Sequence, residues 1–243
     1  MNIKLTIEYD GTHYHGWQIQ PSGPTIQAVL EQALSVFFAE SIRIVGSGRT
    51  DAGVHAVGQV ANFHTGKPFD RHRLVRGLNA LTPRDITIKD AAAVPDSFDA
   101  RRDGRARIYR YQILNRPTPS PFYWNRAWHV HAPLDIDAMR AALPCLVGEH
   151  DFSSFRATGC EAEHPVRRVY GTSLEQRDEL LVYTIEATAF LRHMVRNIVG
   201  TLIEVGHNLH TPDSFADVLT GRDRTRAGST APAHGLYLME VKY

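Results

Sequence analysis

Apolar and polar residues alternate from Ile3 to Tyr9, which predicts an opening β-strand that ends at Asp10-Gly11. A Gly/Pro-rich loop through Pro24 leads to Thr25, a helix N-cap, and Ile26, Val29, Leu30, Ala33, Leu34, Phe37 and Phe38 then recur at helical spacing. Strands are expected over Ile42 to Val45 and Val57 to His64, a second helix over about Asp70 to Ala80, and a strand over Ile86 to Val94. The second half repeats this order. It offers a strand at Ile108 to Leu114, a helix from about Asp135 to Leu146, strands near Val166 to Leu174 and Leu180 to Thr188, a helix over Phe190 to Val205, and a closing strand at Leu236 to Val241. Two similar α+β halves follow, with antiparallel or mixed sheets joined edge to edge into one extended sheet and helices packed on one side. The boundary is expected near Asp99 to Arg107, giving halves of 1–105 and 106–243.

Composition narrows the class without naming a function. The chain is 43% hydrophobic and 22% charged, ordinary for a globular enzyme. No run approaches the roughly 18 apolar residues that span a bilayer, and the N-terminus lacks the apolar core of a signal peptide, so the expectation is a cytoplasmic protein with no membrane partner. Cys145 and Cys160 form no Cys-x-x-Cys pair and read as structural thiols. The formal net charge of +1 hides a cluster, Arg101, Arg102, Arg105, Arg107 and Arg110, that suits a polyanion or a solvated strand-entry loop. Thirteen histidines raise the question of metal. The pairs His13/His15 and His129/His131 have no Cys or carboxylate set beside them, and the third pair considered, His193/His210, is no better placed. No His-Glu-x-x-His helix is present, so no metal is expected.

The segment Gly46-Ser47-Gly48-Arg49-Thr50-Asp51-Ala52-Gly53-Val54-His55-Ala56 is the most unusual, with three glycines, a cation, an acid and an imidazole in eleven residues. It lacks the Gly-Lys-Ser/Thr end of a P-loop and the Gly-x-Gly-x-x-Gly of a dinucleotide loop, so spacing alone leaves a structural turn or a close backbone approach to a ligand. His55 fits either a place near substrate or a packing and capping role.

Gly48 to Ala56 resembles the motif of the tRNA pseudouridine synthase A family. The resemblance continues in order through Tyr9-Asp10-Gly11, Gly16-Trp17-Gln18, Tyr109-Arg110-Tyr111, Phe190 to Asn197 and Ala231 to Leu238, and so covers essentially the whole chain. It implies isomerisation of uridine to pseudouridine at positions 38, 39 and 40 of the tRNA anticodon stem-loop, by a homodimer that needs no cofactor and binds RNA in a cleft between the halves. It further implies that Asp51 is the nucleophile. A carboxylate suits the task because the N1 glycosidic bond must break and C5 must rejoin the sugar; attack on C1′ and addition to the base are both open. A carboxylate among base and protein groups stays ionised only beside a cation. Arg196 matches the family position that supplies it, and Arg49 matches an arginine in RNA contact. Flipping a base out of the stack costs a few kcal/mol. Tyr109 matches the tyrosine that stacks on the flipped base, and Leu236 an apolar residue of the same pocket. Tyr111 shares the parity of Tyr109, whereas Arg110 points to the other side. Two other classes fit parts of the sequence: a catalytically silent RNA-binding module, and a hydrolase using Asp51, which would need a second carboxylate the late motifs do not offer. The loop Arg116 to Asn125 and the segment Phe152 to Arg156 belong to no motif; the first is read as a surface loop or partner contact, the second as an RNA-facing loop.

Overall fold

The alternation at the N-terminus produces β1 (Asn2–Tyr9), with Ile3, Leu5, Ile7 and Tyr9 buried on one face. In this computed structural model, which describes residues 1–243, β1 lies between two antiparallel partners, β3 (His55–His64) and β4 (Ile86–Val94). Ile3 stands opposite Phe63 and Leu5 opposite Ala61, so apolar positions coincide across the ladder. Helix α1 (Ile26–Phe38) starts where Thr25 accepts a hydrogen bond from the Ala28 amide, and α2 (Arg71–Leu81) starts where Asp70 accepts from Arg73. They bury Leu30 and Leu34, and Leu74 and Leu78.

The expected strand at Ile42 to Val45 shrinks to β2 (Val45–Gly46), antiparallel to β3. The cause is competition for backbone donors. Ile42 N donates to Ser35 Oγ at 3.2 Å and Ile44 N to Glu31 Oε1 at 3.1 Å, so α1 side chains take the bonds a neighbouring strand would have used. Ile42 and Ile44 are buried all the same.

The chain divides into two compact units, Met1–Arg105 with Tyr237–Tyr243, and Ala106–Leu236. The final strand β10 (Leu236–Lys242) runs parallel to β3, with Tyr237 opposite His55 and Leu238 opposite Ala56, which places the C-terminal residues in the first unit.

In the second unit β5 (Ala106–Asn115) pairs with β6 (Trp128–Val130) in parallel and with β9 (Leu180–Ala187) antiparallel. The order then continues through β8 (Val166–Arg177) to β7 (Gly148–Asp151). This unit has three helices where two were expected: α3 (Ile136–Ala142), α4 (Met194–Gly206) and α5 (Pro212–Gly221). α3 stops short of Leu146 because Pro144 has no amide to continue it; Leu143 N turns to Arg140 O, and Leu143–Leu146 forms a 3-10 turn. α4 begins at Met194 rather than Phe190. His193 adopts the left-handed region (φ 61°) and Met194 N closes a turn onto Leu191 O at 3.0 Å. α5 carries a capping box between Thr211 and Ser214 with Pro212 at its first position. No helix is long and apolar enough to cross a membrane.

Candidate active site

Arg49 and Asp51 sit on the segment joining β2 to β3, Arg49 exposed and Asp51 half-buried. Asp51 begins a tight turn that Val54 N closes onto Asp51 O at 3.1 Å. Gly53, at the third position with φ 78°, supplies the positive φ that a type II turn demands there. The rest of the loop is fixed through its backbone. Trp17 N donates to Thr50 O at 3.1 Å and Gly53 N to Tyr14 O at 3.4 Å. Gly16 (φ 86°) permits this approach, since a Cβ there would lie 2.6 Å from Thr50 O.

Buried side chains complete the brace. Tyr9 Oη meets Thr50 Oγ1 at 2.8 Å, and burial pushes the Tyr9 phenol up to about 12. Ser47 Oγ donates to Gln59 Oε1 at 2.6 Å, while Gln59 Nε2 donates to Gly48 O at 3.0 Å. Gln59 is fully buried and was no sequence candidate; the amides Gln59 and Asn62 set among Val57, Val60, Ala61 and Phe63 were the available signal. His55 proves to be a bracing residue. Its buried ring stacks on Tyr237 with centroids 4.7 Å apart, and its Nδ1 lies 3.0 Å from Asp10 Oδ1 and 3.1 Å from Gly11 N. One nitrogen serves one of these partners at a time, donating to the carboxylate or accepting from the amide. Asp10 Oδ1 also accepts from Thr12 N and Thr12 Oγ1, at 3.0 and 2.6 Å.

Tyr109, Arg196 and Leu236 belong to the second unit. Tyr109 is half-buried, opposite Ile185 on β9, and its ring meets Phe190 edge to face at 4.9 Å. Tyr111, two residues on, is fully buried and donates its hydroxyl to Pro232 O at 2.7 Å. Burial drives the Tyr111 phenol well above its ordinary value, against the opposing pull of the Arg196 cation. Arg196, on the first turn of α4, donates Nε to Ala231 O at 2.7 Å, and Ala231 N returns a bond to Arg196 O at 3.1 Å. The guanidinium is thus locked onto the strand-entry segment 231–235. Leu236, buried at 6% exposure, follows a short 3-10 turn over Ala233–Gly235. His234 in that turn is held below the ordinary imidazole range by burial, then, against a hydrogen bond with the Ala127 backbone, by Arg196. Asn197 anchors the same helix from behind, donating to Phe155 O at 2.8 Å and accepting from Thr230 Oγ1 at 2.7 Å.

The arginine run divides by role. Arg101, Arg102 and Arg105 are exposed, with the Arg101 and Arg102 amides capped by Asp99 Oδ1. Arg107 donates to Thr188 O at 2.9 Å, and Arg110 has a buried Nε with no hydrogen-bond partner. No three His, Cys, Asp or Glu side chains converge in a group that could hold a metal. Phe152 and Phe155 are core residues, not loop residues; both are fully buried, and Phe155 packs on Phe215 at 5.9 Å.

The mixed α and β fold presents a carboxylate and an arginine on a backbone-fixed glycine loop, and comparison with known proteins gives the class. A family model described as tRNA pseudouridine synthase matches residues 5–103 and 142–243. The chain belongs to the tRNA pseudouridine synthase family and is an enzyme of the isomerase class. Over 242 residues it is 48% identical to the tRNA pseudouridine synthase A of Myxococcus xanthus, covering 99% of this chain and 91% of that protein. Over 241 residues it is 47% identical to that of Geotalea uraniireducens (strain Rf4), covering 99% of each.

Proposed function

We propose that this protein converts uridine to pseudouridine at positions 38, 39 and 40 of the tRNA anticodon stem-loop, with Asp51 as nucleophile. The observation that carries the reading is the Asp51 turn, held by Gly53, Trp17, Tyr9 and Gln59 so that a carboxylate stands on a backbone that does not reorganise during reaction. The reaction breaks the N1–C1′ bond, turns the released base, and joins C5 to C1′. N1 gains a proton and C5 loses one, so nothing is oxidised and no group is added. Arg196 pairs with the Asp51 carboxylate and its planar fork aims the oxygens. The Tyr109 ring stacks on the extruded uridine, Leu236 closes the pocket, and Arg49 holds the RNA backbone. The two α+β halves share the work across an RNA-binding cleft, in a cytoplasmic homodimer whose tRNA touches both subunits.

The test incubates an unmodified tRNA bearing uridines at positions 38 to 40 with the wild type and with Asp51→Ala, then maps pseudouridine by carbodiimide treatment and primer extension. Wild-type product that disappears in a variant still able to bind tRNA is the expected result. Product formation by Asp51→Ala overturns the assignment, and tRNA binding without product in both makes the protein an RNA-binding module.

A further inference from the structure

The loop between β5 and β6 displays two large aromatic side chains to solvent. Phe122 is 90% exposed and Trp124 is 74% exposed, two residues apart in sequence. Isolated exposed apolar residues are common, but a pair of rings at one loop tip asks for an occupant. The loop is also outside the residues that the family model matches.

It is not a floppy excursion. Pro117, Pro119 and Pro121 restrict its backbone, and Pro121–Tyr123 forms a 3-10 turn. Arg116 binds Thr118 O at 2.8 Å and Pro119 O at 2.9 Å from inside the loop. Asn125 takes the left-handed conformation (φ 54°), and the amides of Arg126 and Ala127 both return to Tyr123 O. The loop backbone is therefore fixed with both residues exposed, and a ligand that stacks on them meets little backbone ordering cost.

Charge selects the ligand. From Gly104 to Leu134 the chain has no Asp or Glu, and Arg116 and Arg126 flank the loop. Glu179 is brought to the loop, where Arg116 pairs with it at 2.8 Å. Exposed aromatic faces set in a basic stretch are the arrangement that takes unpaired nucleobases, whose π-faces stack while their phosphates seek cations. We infer that Phe122 and Trp124 form a stacking platform for unpaired bases of the tRNA substrate, separate from the pocket assigned to the target uridine. This rests on the function proposed above for its substrate, and on the loop's own geometry for its site.

The test compares the full-length wild type, Phe122→Ala/Trp124→Ala and Trp124→Phe, using an unmodified tRNA transcript. Both rings lie in solvent, so the variants keep the wild-type melting curve. The double variant binds tRNA roughly tenfold more weakly, as the loss of one stacked base predicts, with KM raised and kcat at saturating tRNA near the wild-type value. tRNA quenches the tryptophan fluorescence of the wild type; Trp124→Phe binds with near wild-type affinity and loses most of that quench, since Trp17 is buried and Trp128 is half-buried with its ring against Tyr111. Unchanged tRNA affinity in the double variant overturns the inference, and so does an undiminished quench in Trp124→Phe. Unchanged affinity with weakened self-association in sedimentation assigns the platform to a protein contact instead. A wild type that makes no pseudouridine but shows the Trp124 quench refutes the proposed function and leaves the platform standing.

Discussion

The Asp51 loop and the first turn of α4 are fixed by opposite means. Around Asp51 the constraints fall on the backbone and on neighbours: Trp17 and Tyr14 hold the peptide groups, and Tyr9 and Gln59 hold residues beside the carboxylate. Around Arg196 the proposed active group is itself a structural strut, with its guanidinium bonded to Ala231 O and its carbonyl bonded by Ala231 N. A carboxylate whose turn is fixed through peptide groups and neighbouring residues can be exchanged without dismantling that support. An arginine that ties a helix to a strand entry, and in the proposed mechanism also pairs with Asp51, cannot be changed without loosening both.

The largest effect expected from this contrast is at Asp51. Asp51→Asn keeps the shape and the turn, so pseudouridine formation falls by about ten-thousandfold, while unfolding free energy in urea changes by under about 1 kcal/mol. Arg196→Lys comes next. Lysine keeps the charge but not the planar fork, so activity falls about a hundredfold and stability by about 2 kcal/mol as Ala231 O loses its charged donor. The contrast breaks if the two variants lose equal stability.

A smaller effect isolates the brace. Tyr9→Phe removes the hydroxyl from Thr50 Oγ1 inside the core and costs about 1 kcal/mol, with activity reduced several-fold through a looser Asp51 turn. The same hydroxyl gives an alkaline signature. Its pKa is raised from 10.0 to about 12 by burial, so its contribution is complete below pH 10 and is lost as pH rises toward 12. Urea unfolding across that range shows a decline that Tyr9→Phe makes shallower, the buried phenols of Tyr14, Tyr111 and Tyr183 accounting for the part that remains.

The parts of the fold that could be read from sequence are those whose cause is local. Thr25 and Asp70 start helices by bonding amides three residues on, and both were visible as caps. The Asp51 segment stood out by its composition and motif. Ile42 and Ile44 look like strand residues because they are apolar and alternate, yet only the tertiary structure shows Ser35 and Glu31 taking their amides. The early start given to α4 has a similar origin: Leu191 is buried in the preceding turn and extends the periodicity without being helical. α5 had its signals in Thr211, Pro212 and Ser214, but only Phe215, Val218 and Leu219 mark its buried face, too few for a periodic reading. Within the site, Gln59 was silent and Tyr9 stood out only as part of the Tyr9-Asp10-Gly11 motif, because their partners, Ser47, Gly48 and Thr50, are tertiary neighbours.

The weakest expected effect sharpens the contrast on the Arg196 side. His234 is held neutral by burial, and Arg196 adds to this against the hydrogen bond with the Ala127 backbone, so its folded pKa lies below the ordinary 6.5. Below pH 6.5 the unfolded chain takes up a proton that the folded chain resists, so stability is level above pH 6.5, declines as pH falls through the window beneath it, and levels again once the folded imidazole is protonated. A protonated His234 also repels the Arg196 guanidinium and loosens its hold on Ala231, so activity falls at the lower end of that window, where the folded imidazole takes up its proton. His234→Gln has no proton to take up, and its unfolding free energy, measured in urea between about pH 5 and pH 8, lacks that step. A step that persists unchanged in His234→Gln assigns it to another group and removes Arg196 from the cause.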